Sequence, residues 1–222
     1  GGTAQADVQA AMDPMIAALP DLGLVPAQIV GATVFRTSHP TAELQALRRY
    51  VVETGLVPTV VEVAQTKERP DCWIFEGKLE SWNFQQGNPP YQTKGQFAYD
   101  ADGLPLSKRE TLDFALSVPK APAATASGDL PLVLYSHGTG GSYRTFTTNG
   151  VADELGEAGV AGLGVDQPLH GARWSGSDND YLLELYSFNF TNPPAGVTTF
   201  RQAALDMVLL TQLALVAGQI DL

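Results

Sequence analysis

Leu130-Pro131-Leu132-Val133-Leu134-Tyr135-Ser136-His137-Gly138-Thr139-Gly140-Gly141 is the stretch whose reading decides the fold. Its first six residues form a continuous apolar run, too short for a helix and without the alternation of a half-exposed strand. Such a run reads as a strand buried on both faces, as in parallel sheets. A glycine-rich turn follows at once. Glycine lets the backbone come close to a ligand and take φ > 0. At the carboxyl end of a parallel strand, the turn aims backbone N–H groups into the crevice where ligands bind. Donors so placed can meet a developing oxyanion. A plain tight turn is the competing reading of these residues alone. A phosphate cradle is weaker, because the Walker lysine and a complete G-x-G-x-x-G are both missing.

Downstream, a helix is expected from about Thr147 to Ala158, with Val151 and Leu155 on one face. Val160 to Val165 is a second continuous apolar strand, and a last helix is expected over Thr198 to Ala217. Apolar strands alternating with helices predict a parallel sheet covered on both faces. Upstream, Pro119 to Gly128 reads as a linker, poor in large apolar residues. Trp73 to Val118 reads as antiparallel sheet, with a hairpin signal at Asp100-Ala101-Asp102-Gly103. Leu112, Phe114, Leu116 and Val118 alternate as in a half-buried strand. Thr59 to Ala64 and Ile29 to Phe35 read as strands. Between them, Thr41 to Glu53 reads as an amphipathic helix striped by Leu44, Leu47 and Val51. A first helical segment, from Gly1 to about Val25, is expected to be interrupted at Pro14 and ended by Pro20 and Gly23.

Two further segments carry polar chemistry. Gly164-Val165-Asp166-Gln167-Pro168-Leu169-His170-Gly171-Ala172-Arg173 ends the second apolar strand, so it faces the same crevice edge. Phe188-Asn189-Phe190-Thr191-Asn192-Pro193-Pro194 is a polar and aromatic loop feeding the helix that begins near Arg201-Gln202-Ala203-Ala204-Leu205-Asp206.

With these three segments, Leu130 to Leu222 resembles the first half of an α/β-hydrolase. It is most similar to bacterial lipase- or esterase-like members that carry an extra N-terminal β-rich domain. The expected fold class is therefore α/β: the first half of an α/β-hydrolase sheet, preceded by a small mixed, mostly antiparallel β domain. The expected boundary separates residues 1–125 from residues 126–222. The resemblance implies that the backbone N–H of Thr139 or Gly140 supplies one oxyanion donor. It implies that His137 turns inward to hold the glycine turn. Tyr143, Trp174, Phe188 and Phe190 are expected at the substrate pocket, whose walls are mostly apolar. Asp166, His170 and Arg173 are expected to brace the loop.

The chain also departs from this family. The nucleophile should be a Ser in a G-x-S-x-G elbow, followed in chain order by an acid and a His. No G-x-S-x-G occurs; Gly141-Ser142 and Gly176-Ser177 lack the second Gly. His39, His137 and His170 all precede the point where the nucleophile would stand. The expected partner is therefore a C-terminal remainder of the same protein, either a second polypeptide made by cleavage or a segment not included in these residues, that brings Ser, acid and base. A half-sheet alone would leave an apolar edge uncovered. The expected reaction of the complete protein is hydrolysis of a carboxylic ester. The alternative is a non-catalytic binding module with a hydrolase-like fold.

Composition narrows the field. The 222 residues carry 13 Lys and Arg against 24 Asp and Glu, a net charge of −11, which speaks against nucleic acid as a partner. No apolar run approaches a transmembrane span. Cys72 is the one cysteine, so zinc-ribbon and CxxC readings fall away, and its apolar setting reads as a buried inert thiol. The histidines and carboxylates show no HExxH or other metal spacing, and the resemblance implies no cofactor. The start at Gly1-Gly2-Thr3, without Met, leads to the expectation of a processed chain. With the resemblance, it points to a secreted, periplasmic or cell-surface bacterial protein.

Overall fold

The computed structural model describes residues 2–25, 27, 29–31, 33, 39–123, 125, 129–174 and 185–216. Much of the strand expected over 29–35, part of the linker, Gly176-Ser177 and residues 217–222 lie outside the described residues. The chain divides into two compact units, Gly1–Ala42 and Glu43–Leu222. The first holds helix α1 (Gly2–Ala18) and a 3-10 turn (Pro20–Leu22) closed by Gly23 at φ 70°. The break expected at Pro14 is absent, since α1 runs through it. The proline removes one backbone donor, and the helix continues with that bond missing.

The second unit is of α/β type, built on one mixed five-stranded sheet. Helix α2 (Ala42–Glu53) precedes strands β1 (Thr59–Glu68), β2 (Cys72–Asn83) and β3 (Lys108–Pro119). Strand β4 (Leu132–Tyr135) leads through short helices α3 (Thr145–Thr148) and α4 (Val151–Glu157) to β5 (Ala161–Val165). Helix α5 (Pro193–Leu215) closes the described chain. The strand order is β1-β2-β3-β5-β4, antiparallel except for the β4–β5 pair, which is parallel. The boundary expected between residues 125 and 126 therefore falls inside the second unit, and the sheet is continuous across it. Hydrogen bonding between β3 and β5 joins what the linker composition separates.

Strand β3 corrects a second expectation. It is not half-buried: Ala115 and Ser117 are as enclosed as Leu112, Phe114 and Leu116. It lies between β2 and β5, and helices cover both its faces. On one face, Leu79, Phe114, Leu163 and Val165 pack with Leu210 and Leu213 of α5. On the other, Cys72, Ile74 and Ala115 pack with Phe146 of α3 and Ala152 of α4. The sequence of β5 answers to this second face. A Cβ at Gly162 would stand 2.8 Å from the Phe146 ring, and one at Gly164 would stand 3.2 Å from it. The two glycines make the space in which Phe146 is fully buried.

The helix expected over Thr147 to Ala158 is in fact two, parted at Asn149-Gly150, where Gly150 takes φ 94°. Its inward residues are Ala152 and Gly156, small enough for α4 to lie close on Cys72. Helix α5 begins earlier than expected, at the Pro193-Pro194 pair, whose fixed φ suits a first helical turn. Leu205 and Leu209 of α5 pack with Leu47 and Val51 of α2 and with Phe84 and Phe97. Edge strand β1 is largely exposed and carries register shifts at Val60/Glu62 and Gln65/Lys67, which blunt it against pairing. Among the described residues, no helix is long and apolar enough to cross a membrane.

Gly162→Ala is expected to cost about 1–3 kcal/mol in denaturant unfolding, because its methyl group collides with a ring that has nowhere to go. Adding Phe146→Leu should cost less in that background than in the parent, a coupling that a double-mutant cycle reads directly.

Candidate active site

The parallel pairing of β4 with β5, with Tyr135 beside Gly164, brings the turn after β4 and the loop after β5 to the same sheet edge. The turn closes by a hydrogen bond from the Gly141 N–H to the Gly138 carbonyl at 3.0 Å. Gly140 takes φ 78°, while Thr139 keeps a negative φ. These signs at the two central positions are those of a type II turn, whose third residue favours Gly.

Two histidines lock the turn to the loop. The Gln167 N–H donates to Nε2 of His137 at 2.9 Å, and the Gly140 N–H donates to Nε2 of His170 at 3.2 Å. Each Nε2 accepts, so each ring carries its proton on Nδ1. His137 Nδ1 donates to the Gly138 carbonyl at 2.8 Å, and His170 Nδ1 donates to the Pro168 carbonyl at 3.0 Å. The rings lie 4.9 Å apart, edge to face. Burial pushes the His137 pKa down, which keeps the ring in the neutral form that the turn requires. Leu169, between Pro168 and His170, is buried at φ 65°, a strained backbone state for a branched residue. Its side chain fills a small core with Tyr91 and Ala195, which holds the strained loop in place.

The loop is also fixed by charge. Arg173, with its side chain 2% exposed, pairs with Asp206 of α5 at 2.6 Å and Glu110 of β3 at 2.8 Å. It also donates to the Asp166 backbone carbonyl at 3.0 Å. Burial opposes the Arg173 charge, yet the two carboxylates outweigh it and raise the pKa. Burial pushes Asp206 up to about 6 against the pull of Arg173. Gln202 donates to Asp206 at 2.7 Å and accepts from the Phe84 N–H at 2.8 Å. Asp166, fully buried, accepts from the Tyr143 N–H at 2.9 Å and so ties the loop to the segment after the glycine turn.

Between these elements lies a cavity of about 190 Å³. Ser136, His137, Gly138 and Thr139 line it from the turn, with Gln167, Pro168 and His170 from the loop. Ser187, Thr199, Phe200 and Ala203 complete the wall. The two N–H groups named from the sequence are not equivalent. That of Gly140 is taken up by His170, whereas that of Thr139 donates to no group among the described residues. Tyr143 and Trp174, expected at the pocket, lie outside this lining. Tyr143 packs beside the core around Phe146, and Trp174 packs on Tyr186 with ring centroids 5.5 Å apart. Phe188 and Phe190 stand exposed outside the lining and stack 6.0 Å apart, while Phe188 also meets Phe200 at 5.7 Å.

Asn189 explains that exposure. It takes φ 45°, which Asn tolerates, and its buried amide donates to the carbonyls of Pro90 and Tyr91. With Asn189 turned inward, its two neighbours stand outside. Sequence reasoning missed Gln167, Pro168, Ser187, Thr199, Phe200 and Ala203 as wall residues. Gln167 and Pro168 stood within a quoted motif. Phe200 and Ala203 are three apart on one helix, a spacing that shares a face. Nothing local marked Ser187. No serine of the cavity is hydrogen-bonded to a histidine among the described residues. Compared with protein families, curated proteins and solved structures, the chain matches none of them.

Arg173→Met should cost about 3–5 kcal/mol in urea unfolding, since it strands the Asp206 carboxylate in the interior and unpairs the half-buried Glu110. Arg173→Met combined with Asp206→Leu should be more stable than Arg173→Met alone.

Proposed function

We propose that this chain supplies the oxyanion-binding edge and part of the substrate pocket of a serine carboxylic-ester hydrolase of the α/β-hydrolase type, esterase- or lipase-like. The observation that carries the reading is the open Thr139 N–H. It sits in a type II turn at the carboxyl end of a parallel strand, beside a cavity, with the turn fixed by two neutral histidines. A donor held in place before the reaction stabilises developing charge without reorganising as it forms. Thr139 is the donor in this reading, and Gly140, bonded to His170, is the residue whose positive φ presents it. His137 and His170 are positioning residues; neither acts as the general base, because each Nε2 is occupied. The nucleophile, acid and base come from a segment outside these 222 residues, a C-terminal remainder that joins the β4 side of the sheet. The chain alone is inactive, and the complete protein works outside the cytoplasm. A non-catalytic binding module is the second reading, favoured by the lack of a serine–histidine pair in the cavity among the described residues.

Fluorophosphonate treatment of the full gene product, followed by denaturing intact-mass measurement, separates the two. A labelled segment or co-purifying polypeptide supports the hydrolase. A folded, unlabelled chain that binds esters without turnover supports the binding module.

Thr139→Pro is the sharper variant. Proline suits the second position of a type II turn and deletes the donor; Thr139→Ala, which keeps the N–H and drops the hydroxyl, is the control. Ester turnover by the complete protein should fall roughly 10²–10³-fold at an unchanged melting temperature. Undiminished turnover would move the oxyanion role elsewhere.

A further inference from the structure

Two polar atoms at the cavity wall have no partner. The Gln167 side-chain nitrogen and the Ser187 hydroxyl are buried and meet no hydrogen-bond partner among the described residues. The residues are only 7% and 4% exposed, and both line the cavity. A buried donor left unmade costs free energy, so a pair of them at one cavity marks a place where a ligand oxygen is accepted. The space limits that ligand. A dry cavity of roughly 150 Å³ holds a benzene-sized molecule, so this one takes a short group of similar size. Outside, Phe188, Phe190 and Phe200 form a stacked apolar surface, 46%, 73% and 53% exposed. Phe200 belongs to both the surface and the cavity wall, so the two are continuous. Exposed aromatic clusters of this kind mark binding surfaces.

We propose that the site takes an ester whose short acyl group carries a second oxygen, bonded by Gln167 and Ser187, and whose alcohol arm is apolar and lies on Phe188, Phe190 and Phe200. The assignment rests on the hydrolase reading only in placing the ester carbonyl beside the Thr139 N–H. The hydroxyacyl class follows from the donors. Both groups can donate to a hydroxyl or carbonyl oxygen on the acyl group, and a plain alkyl chain would leave them unmade. The apolar arm follows from the rings, which offer flat faces and no charge.

The test needs binding, not turnover. Ethyl 3-hydroxybutyrate, ethyl butyrate and benzyl 3-hydroxybutyrate are titrated into the protein under ligand-observed NMR. The hydroxy ester should bind about tenfold more tightly than ethyl butyrate, the effect of one buried hydrogen bond of the stronger kind. Gln167→Leu and Ser187→Ala should each erase most of that difference; both remove a donor that meets no partner among the described residues. Phe190→Ala, at a solvent-exposed site, should weaken the benzyl ester several-fold and leave the ethyl ester unchanged. Equal binding of the hydroxylated and plain esters, or no binding of either, overturns the proposal. Discrimination in a protein that fluorophosphonate never labels would keep this pocket and remove the hydrolase. Labelling without discrimination would do the reverse.

Discussion

Arg173 joins three parts of the chain that are far apart in sequence. Its guanidinium meets Asp206 on the long helix and Glu110 on the central strand, and its own backbone belongs to the loop after β5. A buried charge of this kind is tolerated only when it is paired, so the three elements are held in the mutual arrangement that brings both carboxylates to the two terminal nitrogens of the guanidinium. That constraint passes outward. Asp166, in the same loop, fixes the start of the segment after the glycine turn, and Gln202 carries the network to the Phe84 backbone. The cavity exists because helix, strand and loop cannot slide independently.

Against that rigid frame, the glycine turn is held by weaker and more specific means. Two imidazoles accept from backbone amides, and the same two rings donate to carbonyls of the turn and the loop. Each ring reads both a donor and an acceptor, so a change of protonation or tautomer would set N–H against N–H. The strain at Leu169 belongs to this arrangement, because it turns the chain sharply enough to bring His170 back to Gly140. The Gly140 amide is thus consumed in holding the shape, while that of Thr139, just before it, donates to no group among the described residues.

Much of the architecture could be read from sequence, because its signals are local. The apolar runs of β4 and β5, the stripe of α2 and the turn at Gly138-Thr139-Gly140 each speak within a dozen residues. What failed depended on distant partners. Strand β3 alternates like a half-buried strand, yet β5 pairs along its edge and α3 and α4, distant in sequence, close its second face. The sheet likewise runs on across the place where linker composition suggested a boundary. The cavity was only partly legible. His137, Thr139 and His170 sit in motifs, whereas Ser187 and Phe200 reach the wall through the positive φ of Asn189 and the early start of α5. The glycine pair in β5 serves neither turn nor ligand but leaves volume for one phenylalanine.

Cys72 has a different kind of value. It is the chain's one thiol, fully buried beneath α4, with its sulfur 3.6 Å from the Ala152 carbonyl. Burial, reinforced by the nearby Asp153 carboxylate, pushes its pKa up, so the enclosed group is unreactive. An alkylating reagent meets it only when α4 lifts from the sheet. Its modification rate therefore follows the opening of one substructure rather than of the whole fold. The molecule carries a built-in kinetic reporter for the helix that covers one face of the central strand, and the sequence already supplies it without an engineered label.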